Sequence, residues 1–416
     1  MLLANPNVTH QPYPDVLKRI MSVARARESR EWLGHWTGLN RGATPLYSLP
    51  DLAAELGIGQ LRVKDESRRS ALGSFKALGA PIALVRLILR RFPEQRFDVP
   101  ALLAGEYRRS LGDFTVISAT DGNHGRALAA AAQSVGCRCV IVLHANVSVE
   151  REQAIAAYGA QIVRISGNYD ESVGEAAALA NRNGWLVVSD TSYEGYQDIP
   201  RDVMQGYGTI AAEVVEACAE GFTHVFLQGG VGGLAAGIAS YLWELQGEQR
   251  PTFIVVEPEQ ADCLYQSALT GRAARATGSV DSVMAGLACG ETSPLAWQFL
   301  QPCVDFFMTL DDHEAVLAMG RLAAGSERDI PLEAGESAVA GLAALRRLAE
   351  SPADAETVGL NARSRVLLIS TEGATAPAVY AELVGESAES VRARQLRWAS
   401  DLIAGKASSH KVSCRT

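Results

Sequence analysis

Thr223-His224-Val225-Phe226-Leu227-Gln228-Gly229-Gly230-Val231-Gly232-Gly233-Leu234-Ala235-Ala236-Gly237 reads as a buried strand, a glycine loop and the start of a helix. Aromatic and β-branched residues suit the strand, and the glycines allow a ligand to approach the backbone closely. The helix behind the loop aims its free N–H groups at that ligand and favours an anion such as phosphate. Outward from this stretch the same unit recurs. Phe114 to Ser118, Cys137 to His144, Gln161 to Ile165, Trp185 to Ser189 and Thr252 to Glu257 read as strands, with helical patterns between them. Arg365 to Ile369 is the clearest late strand. Strand and helix alternating at this spacing predict an α/β fold of mostly parallel sheets flanked by helices. In such sheets ligands bind beyond the carboxyl ends of the strands.

The totals are those of an ordinary soluble protein, with 416 residues, 48% hydrophobic and 20% charged. Chains of this length usually divide, so two unequal parts are expected. A formal net charge of −9 with interspersed basic residues gives no footprint for nucleic acid. No apolar run reaches membrane-spanning length, and the N-terminus carries no signal pattern, which predicts a cytoplasmic chain acting on a small molecule. The seven cysteines are scattered without a C-x-x-C pair, so reduced, mostly buried thiols are expected. Asp311-Asp312-His313-Glu314 reads as an acid-rich helix start, and no metal is expected.

Four other segments fall at strand ends or helix starts. Asp65-Glu66-Ser67-Arg68-Arg69-Ser70-Ala71-Leu72-Gly73-Ser74-Phe75-Lys76-Ala77 places Lys76 in the first turn of a helix expected from about Gly73 to Arg91. A cation is unfavourable there, so chemistry is the better reason for it: an amine of depressed pKa is a nucleophile. Ser118-Ala119-Thr120-Asp121-Gly122-Asn123-His124-Gly125 offers hydroxyls, an amide and backbone N–H groups to a carboxylate. Asp190-Thr191-Ser192-Tyr193-Glu194-Gly195-Tyr196 and Ser370-Thr371-Glu372-Gly373-Ala374-Thr375 are further polar strand ends. A lysine, a glycine phosphate cup and polar loops converge on a pyridoxal phosphate site. The rival is a dinucleotide site, because Gly230-x-Gly232-x-x-Ala235 fits a loose fingerprint and Glu257 ends the next strand.

Ser74-Phe75-Lys76, the Thr120 to Gly125 loop and Gly229 to Gly233 resemble the signatures of the fold type II pyridoxal phosphate enzymes, the tryptophan synthase β family. More narrowly, Lys64-Asp65-Glu66-Ser67, Asp121, the Asp190 to Tyr196 segment, Met284-Ala285-Gly286-Leu287-Ala288-Cys289-Gly290-Glu291 and Ser370-Thr371-Glu372-Gly373 resemble the diaminopropionate ammonia-lyase branch. An acidic residue is expected where this chain has Ala374.

The resemblance implies a two-domain architecture, with residues 1–109 and 211–416 as a discontinuous large domain and 110–210 as a smaller β-α-β domain. It implies pyridoxal 5'-phosphate as cofactor, a homodimer, and an α,β-elimination of 2,3-diaminopropionate to pyruvate and two ammonia. Lys76 would anchor the cofactor and act as a base. Gly229, Gly230, Val231, Gly232 and Gly233 would bind phosphate, Asn123 the ring hydroxyl, and Ser370 or Thr371 the ring nitrogen. Ser118 and Thr120 would take the substrate carboxylate. Asp121 would pair with the second ammonium or remove the α-proton opposite Lys76, although Asp also favours a plain helix cap. Asp190 is a second anchor for the amine; Tyr169, His124 and Glu336 are lesser pocket candidates. The resemblance also raises a disulfide or gating pair between Cys263 and Cys289, against the plainer reading of independent thiols. Three alternatives stay open: a serine or threonine dehydratase, a nicotinamide-dependent oxidoreductase and a non-catalytic pyridoxal phosphate carrier.

Overall fold

The computed structural model describes residues 1–120, 122–167 and 169–413, with residues 170 and 402–413 described by their backbone alone. In chain order its strands are β1 (Leu2–Ala4), β2 (Leu46–Ser48), β3 (Gln60–Asp65), β4 (Thr115–Ala119), β5 (Arg138–Leu143), β6 (Gln161–Arg164), β7 (Leu186–Val187), β8 (His224–Gln228), β9 (Thr252–Pro258), β10 (Phe306–Leu310) and β11 (Arg365–Ser370). They form a seven-stranded sheet of order β1-β10-β9-β8-β11-β3-β2 and a four-stranded sheet of order β6-β5-β4-β7. All pairings are parallel except those of the three-residue edge strands β1 and β2. The buried runs Val225 to Leu227, Phe253 to Val256 and Val366 to Ile369 carry almost no polar residue, as strands covered on both faces require.

The α/β alternation is the one expected, with three differences. β10 was not expected; its Phe306-Phe307-Met308 run continues the sheet beside β9, in a region whose sequence reads as helical. The helix expected from Gly73 to Arg91 is split. A 3₁₀ turn spans Phe75–Leu78 and the α-helix begins at Ala80, with Pro81 in its first turn, where a missing N–H costs least. Between Arg91 and Asp113, a stretch that Pro93 and Pro100 mark as loop-like, the chain carries the short helices Val99–Leu103 and Arg108–Leu111.

The lysine turn is held by close backbone packing. The helix Asp198–Ala217 lies directly on it: a Cβ at Gly206 would stand 2.0 Å from the Leu78 carbonyl oxygen. On the turn's own side, a Cβ at Gly79 would meet Val203 at 2.7 Å and Tyr207 at 2.8 Å. Only glycine fits at either place, so the turn and the helix are locked together. The acids at 311–314 form a helix start as expected. Asp311 and Glu314 make a reciprocal capping box.

Candidate active site

Lys76 leaves the 3₁₀ turn with its side chain about one-fifth exposed and pairs with Asp190. Burial works against its charge, but the Asp190 carboxylate outweighs burial and holds Lys76 well above the ordinary lysine range. The depressed pKa expected from the sequence is therefore not what the chain shows, and the counter-ion is the reason. For Asp190 burial pushes the other way, and Lys76 and His124 overcome it to hold the carboxyl below the usual range. His124 Nε2 bonds the Val188 carbonyl at 2.9 Å, and its Nδ1 stands 3.9 Å from Asp190. Tyr207 packs its ring on Phe75 with centroids 4.8 Å apart, and its buried hydroxyl makes no hydrogen bond.

Asn123 opens the helix Asn123–Val135 and donates through Nδ2 to Glu372 Oε2. Ser118 and Thr120 are buried beside it; Thr120 Oγ1 accepts the N–H groups of Gly122 at 3.3 Å and Gly125 at 3.4 Å. Asp121 lies outside the described residues. At the end of β11, Ser370 Oγ is buried with no partner, while Thr371 offers its carbonyl to the Phe75 N–H at 3.0 Å. Ser74 pairs as a backbone bridge with Glu372, and its own hydroxyl is likewise unpartnered. The lysine turn, the asparagine loop and the end of β11 thus meet at one place.

The glycine loop lies beside them. Gly232 has φ +101° and precedes the helix Gly233–Gln246, whose first turn has no side-chain cap, so its leading N–H groups face outward unpaired by any cap. A Cβ at Gly229 would fall 2.7 Å from Glu257 Cγ, and one at Gly230 would fall 3.2 Å from Cys289 Sγ. Glu257 itself is wholly buried and accepts the N–H groups of Leu264 and Tyr265, each at 2.7 Å. Its carboxyl caps the helix Cys263–Thr270 and is not available to a ribose, which removes the support the dinucleotide reading drew from it. No disulfide joins Cys263 and Cys289 or any other of the described cysteines.

A sequence profile of the pyridoxal-phosphate dependent enzymes matches residues 38–371. The chain belongs to this family. It is 39% identical over 379 residues to diaminopropionate ammonia-lyase of Escherichia coli strain K12, which covers 89% of this chain and 94% of the relative. It is similar to the crystal structure of Escherichia coli diaminopropionate ammonia lyase in complex with an aminoacrylate-PLP azomethine reaction intermediate, with TM-score 0.83 and 36% identity over 92% of this chain and 96% of that one. Threonine deaminase isoform 2 of Solanum lycopersicum shares the fold, with TM-score 0.70 and 20% identity over 92% of this chain and 96% of that one.

The residues present suit the family's cofactor. Ser74 Oγ, Ser370 Oγ, Tyr207 Oη, His124 Nδ1 and Glu372 Oε1 are buried without hydrogen-bond partners around the lysine and the glycine loop. Buried polar atoms are normally satisfied, so a cluster of orphans marks the place of a polar ligand. A cavity of about 430 Å³ opens at Gly73 on the edge of this region, lined by Ser70, Arg126, Glu333, Gly373 and Arg392 among others. Ala374, where an acid was expected, lines it too, and its N–H is taken by Glu333 Oε1 at 2.8 Å. Sequence reasoning singled out neither Ser74, Glu372 nor Tyr207. Ser74 and Glu372 sit inside motifs already quoted, but Tyr207 is mid-helix and gives no signal of its own.

Proposed function

We propose that the chain removes both amino groups of 2,3-diaminopropionate by α,β-elimination, giving pyruvate and two ammonia. Pyridoxal 5'-phosphate, when bound, supplies the electron sink for the carbanion at Cα. Lys76 would hold it, and its amine is the group placed to take the α-proton. Gly229 to Gly233 and the helix behind them hold the phosphate. Asn123 would serve the ring hydroxyl, and Ser370, whose hydroxyl has no partner, would suit the ring nitrogen better than Thr371. Ser118 and Thr120 receive the substrate carboxylate, and Asp121 remains the candidate for the proton on the opposite face.

The observation that carries this reading is the Lys76 to Asp190 pair. Asp190 places a carboxylate beside Lys76, at the point where a bound substrate would stand. A substrate with a second ammonium can pair with that carboxylate, and a hydroxyl substrate brings no charge to it. This favours the diamino acid over serine or threonine. The two sheets suggest a division into residues 1–109 with 211–416 and residues 110–210, since all four strands of the smaller sheet fall within the latter. The reading includes a homodimer in the cytoplasm, and light scattering on the purified chain checks the dimer. No helix among the described residues is long and apolar enough to cross a membrane.

The test is pyruvate release from D- and L-2,3-diaminopropionate, serine and threonine, with the cofactor's absorbance followed in the same cuvette. Diaminopropionate should be turned over fastest. Asp190→Asn should lower kcat/KM for it by about 10–100-fold, the worth of one charged hydrogen bond, and change serine turnover less. Faster turnover of serine or threonine than of diaminopropionate would assign the chain to the dehydratases, and a yellow chain releasing no pyruvate would make it a carrier.

A further inference from the structure

Glu336 and Glu372 are buried acids that the reaction above does not use, 1% and 4% exposed. They come from different segments, the turn before the helix Ala340–Glu350 and the end of β11. The Gly335 N–H joins these segments by donating to the Glu372 carbonyl at 3.0 Å. Position 335 admits only glycine, because a Cβ there would stand 2.9 Å from Glu372 Cγ. The same Cβ would lie 3.4 Å from the Glu372 carboxyl carbon, and Glu336 is the next residue in the chain. Burial, reinforced by the Glu372 charge, pushes Glu336 up to about 7.

Each acid has one oxygen engaged and one idle. Glu372 Oε2 accepts from Asn123 Nδ2, and Glu336 Oε1 accepts from Arg151 Nη2 at 3.3 Å. Glu372 Oε1 and Glu336 Oε2 are buried with no partner. Two buried carboxylates with idle oxygens, and one guanidinium bonded to Glu336, leave an uncompensated negative charge, and a single proton removes it. The charged groups that bear on Glu336 are Arg151, from the helix Val149–Ala156, and Glu372. Glu333, three residues away, is occupied by Arg392 at 2.6 Å and the Ala374 N–H at 2.8 Å. Ser337, next in the chain, accepts the Gly286 N–H at 2.9 Å.

We propose that Glu336 and Glu372 share one proton, carried by Glu336, and that Glu372, left as the acceptor, thereby sets which way round the Asn123 amide sits in the cofactor pocket. An ionised carboxylate only accepts, so it holds Nδ2 of Asn123 toward itself. The second hydrogen on Nδ2 is then free for the ring hydroxyl. A protonated Glu372 would donate to Oδ1 and turn the amide over. Glu336 is thus a positioning residue, acting through Glu372 on Asn123. Arg151 links the pair to the same loop, since its Cδ lies 3.8 Å from where a Cβ of Gly122 would stand. When Glu336 gives up its proton to solvent, Arg151 and Asn123 face two negative charges and the amide loses its fixed arrangement.

The assignment to Asn123 rests on the proposed function, so the test has two arms. In cofactor-free protein, Glu336 keeps its proton up to about pH 7, whereas the unfolded chain releases it near 4.5. The native state therefore loses stability as pH rises through that window. Glu336→Gln has no such proton, so its melting temperature should rise relative to wild type between about pH 5 and about pH 8. Parallel melting curves across that range would overturn the shared proton. In the loaded protein, the cofactor absorbance of wild type should show a step near neutrality that Glu336→Gln abolishes, and Glu372→Gln should shift the band at every pH. A step that survives in Glu336→Gln would overturn the link to Asn123. A chain that binds no cofactor would instead undo the functional reading, and the first arm would still decide the proton.

Discussion

Two sets of buried polar groups lie near the loop from Ser67 to Gly73, and they are built oppositely. In one, Lys64 Nζ binds Glu213 Oε2 at 2.5 Å and the Thr44 carbonyl at 2.7 Å. Arg69 holds Glu66 through Nε at 2.8 Å and Glu213 through Nη1 at 2.7 Å, and Thr44 Oγ1 donates to Glu66 Oε1 at 2.6 Å. Two cations meet two anions, all of them buried, and among the described residues none of their polar atoms is left over. The other set, around Lys76, leaves Ser74, His124, Tyr207, Ser370 and Glu372 each with an unpartnered atom. Both sets are charged and largely enclosed, so neither charge nor burial tells scaffold from site. Between these two sets, the clustering of unmet hydrogen-bonding groups around one lysine does.

The contrast can be broken from either side. Lys76→Ala should abolish turnover, by at least the ~10²–10⁴-fold that a positioned proton-transfer group contributes, since it removes both anchor and base. Pyruvate release measures that loss, and the cofactor-free melting temperature should fall less than for a break in the closed network, because Lys76 and Asp190 are each about one-fifth exposed. Glu213→Gln should do the reverse. Breaking a buried charge network on one side costs about 3–5 kcal/mol, read by urea unfolding, while kcat per folded molecule stays within a few-fold. If Glu213→Gln cost activity more than stability, the closed network would belong to the site and the distinction would fail.

The same contrast explains how much could be read from the sequence. Strand and helix alternation, the glycine cup and the lysine were legible because each is local: a run of apolar residues, a spacing of glycines, a cation where helices disfavour one. β10 was missed because Phe306 to Leu310 is short and follows a helix-like stretch; its neighbour β9, fifty residues upstream, is what makes it a strand. The depressed pKa expected for Lys76 is not found, since Asp190, the partner that raises it, is 114 positions away. Glu257 looked like a ribose ligand by position, and only the N–H groups of Leu264 and Tyr265 show it to be a cap. Pairings over such separations are tertiary facts that no window of sequence contains.

Backbone strain offers the smallest and finest test. Val280 has φ +59°, in the left-handed region where a β-branched residue is a true outlier. Its N–H is tied to the Gln260 carbonyl at 2.8 Å, and its side chain stands 3.5 Å from where a Cβ of Gly290 would be, beside the Cys289 that packs on Gly230. The strained loop therefore abuts the glycine cup and not the closed charge network. Val280→Gly removes the left-handed penalty of about 1–2 kcal/mol and gives back about 0.5–1 kcal/mol in unfolded-chain entropy. A net gain of about 0.5–1 kcal/mol in cofactor-free stability is expected, read as a rise in melting temperature. If the strain serves only the loop, cofactor affinity stays unchanged. If it holds Cys289 and Gly230 in place for the phosphate, the stabilised variant binds the cofactor more weakly, and the site is then marked by strain as well as by unmet hydrogen bonds.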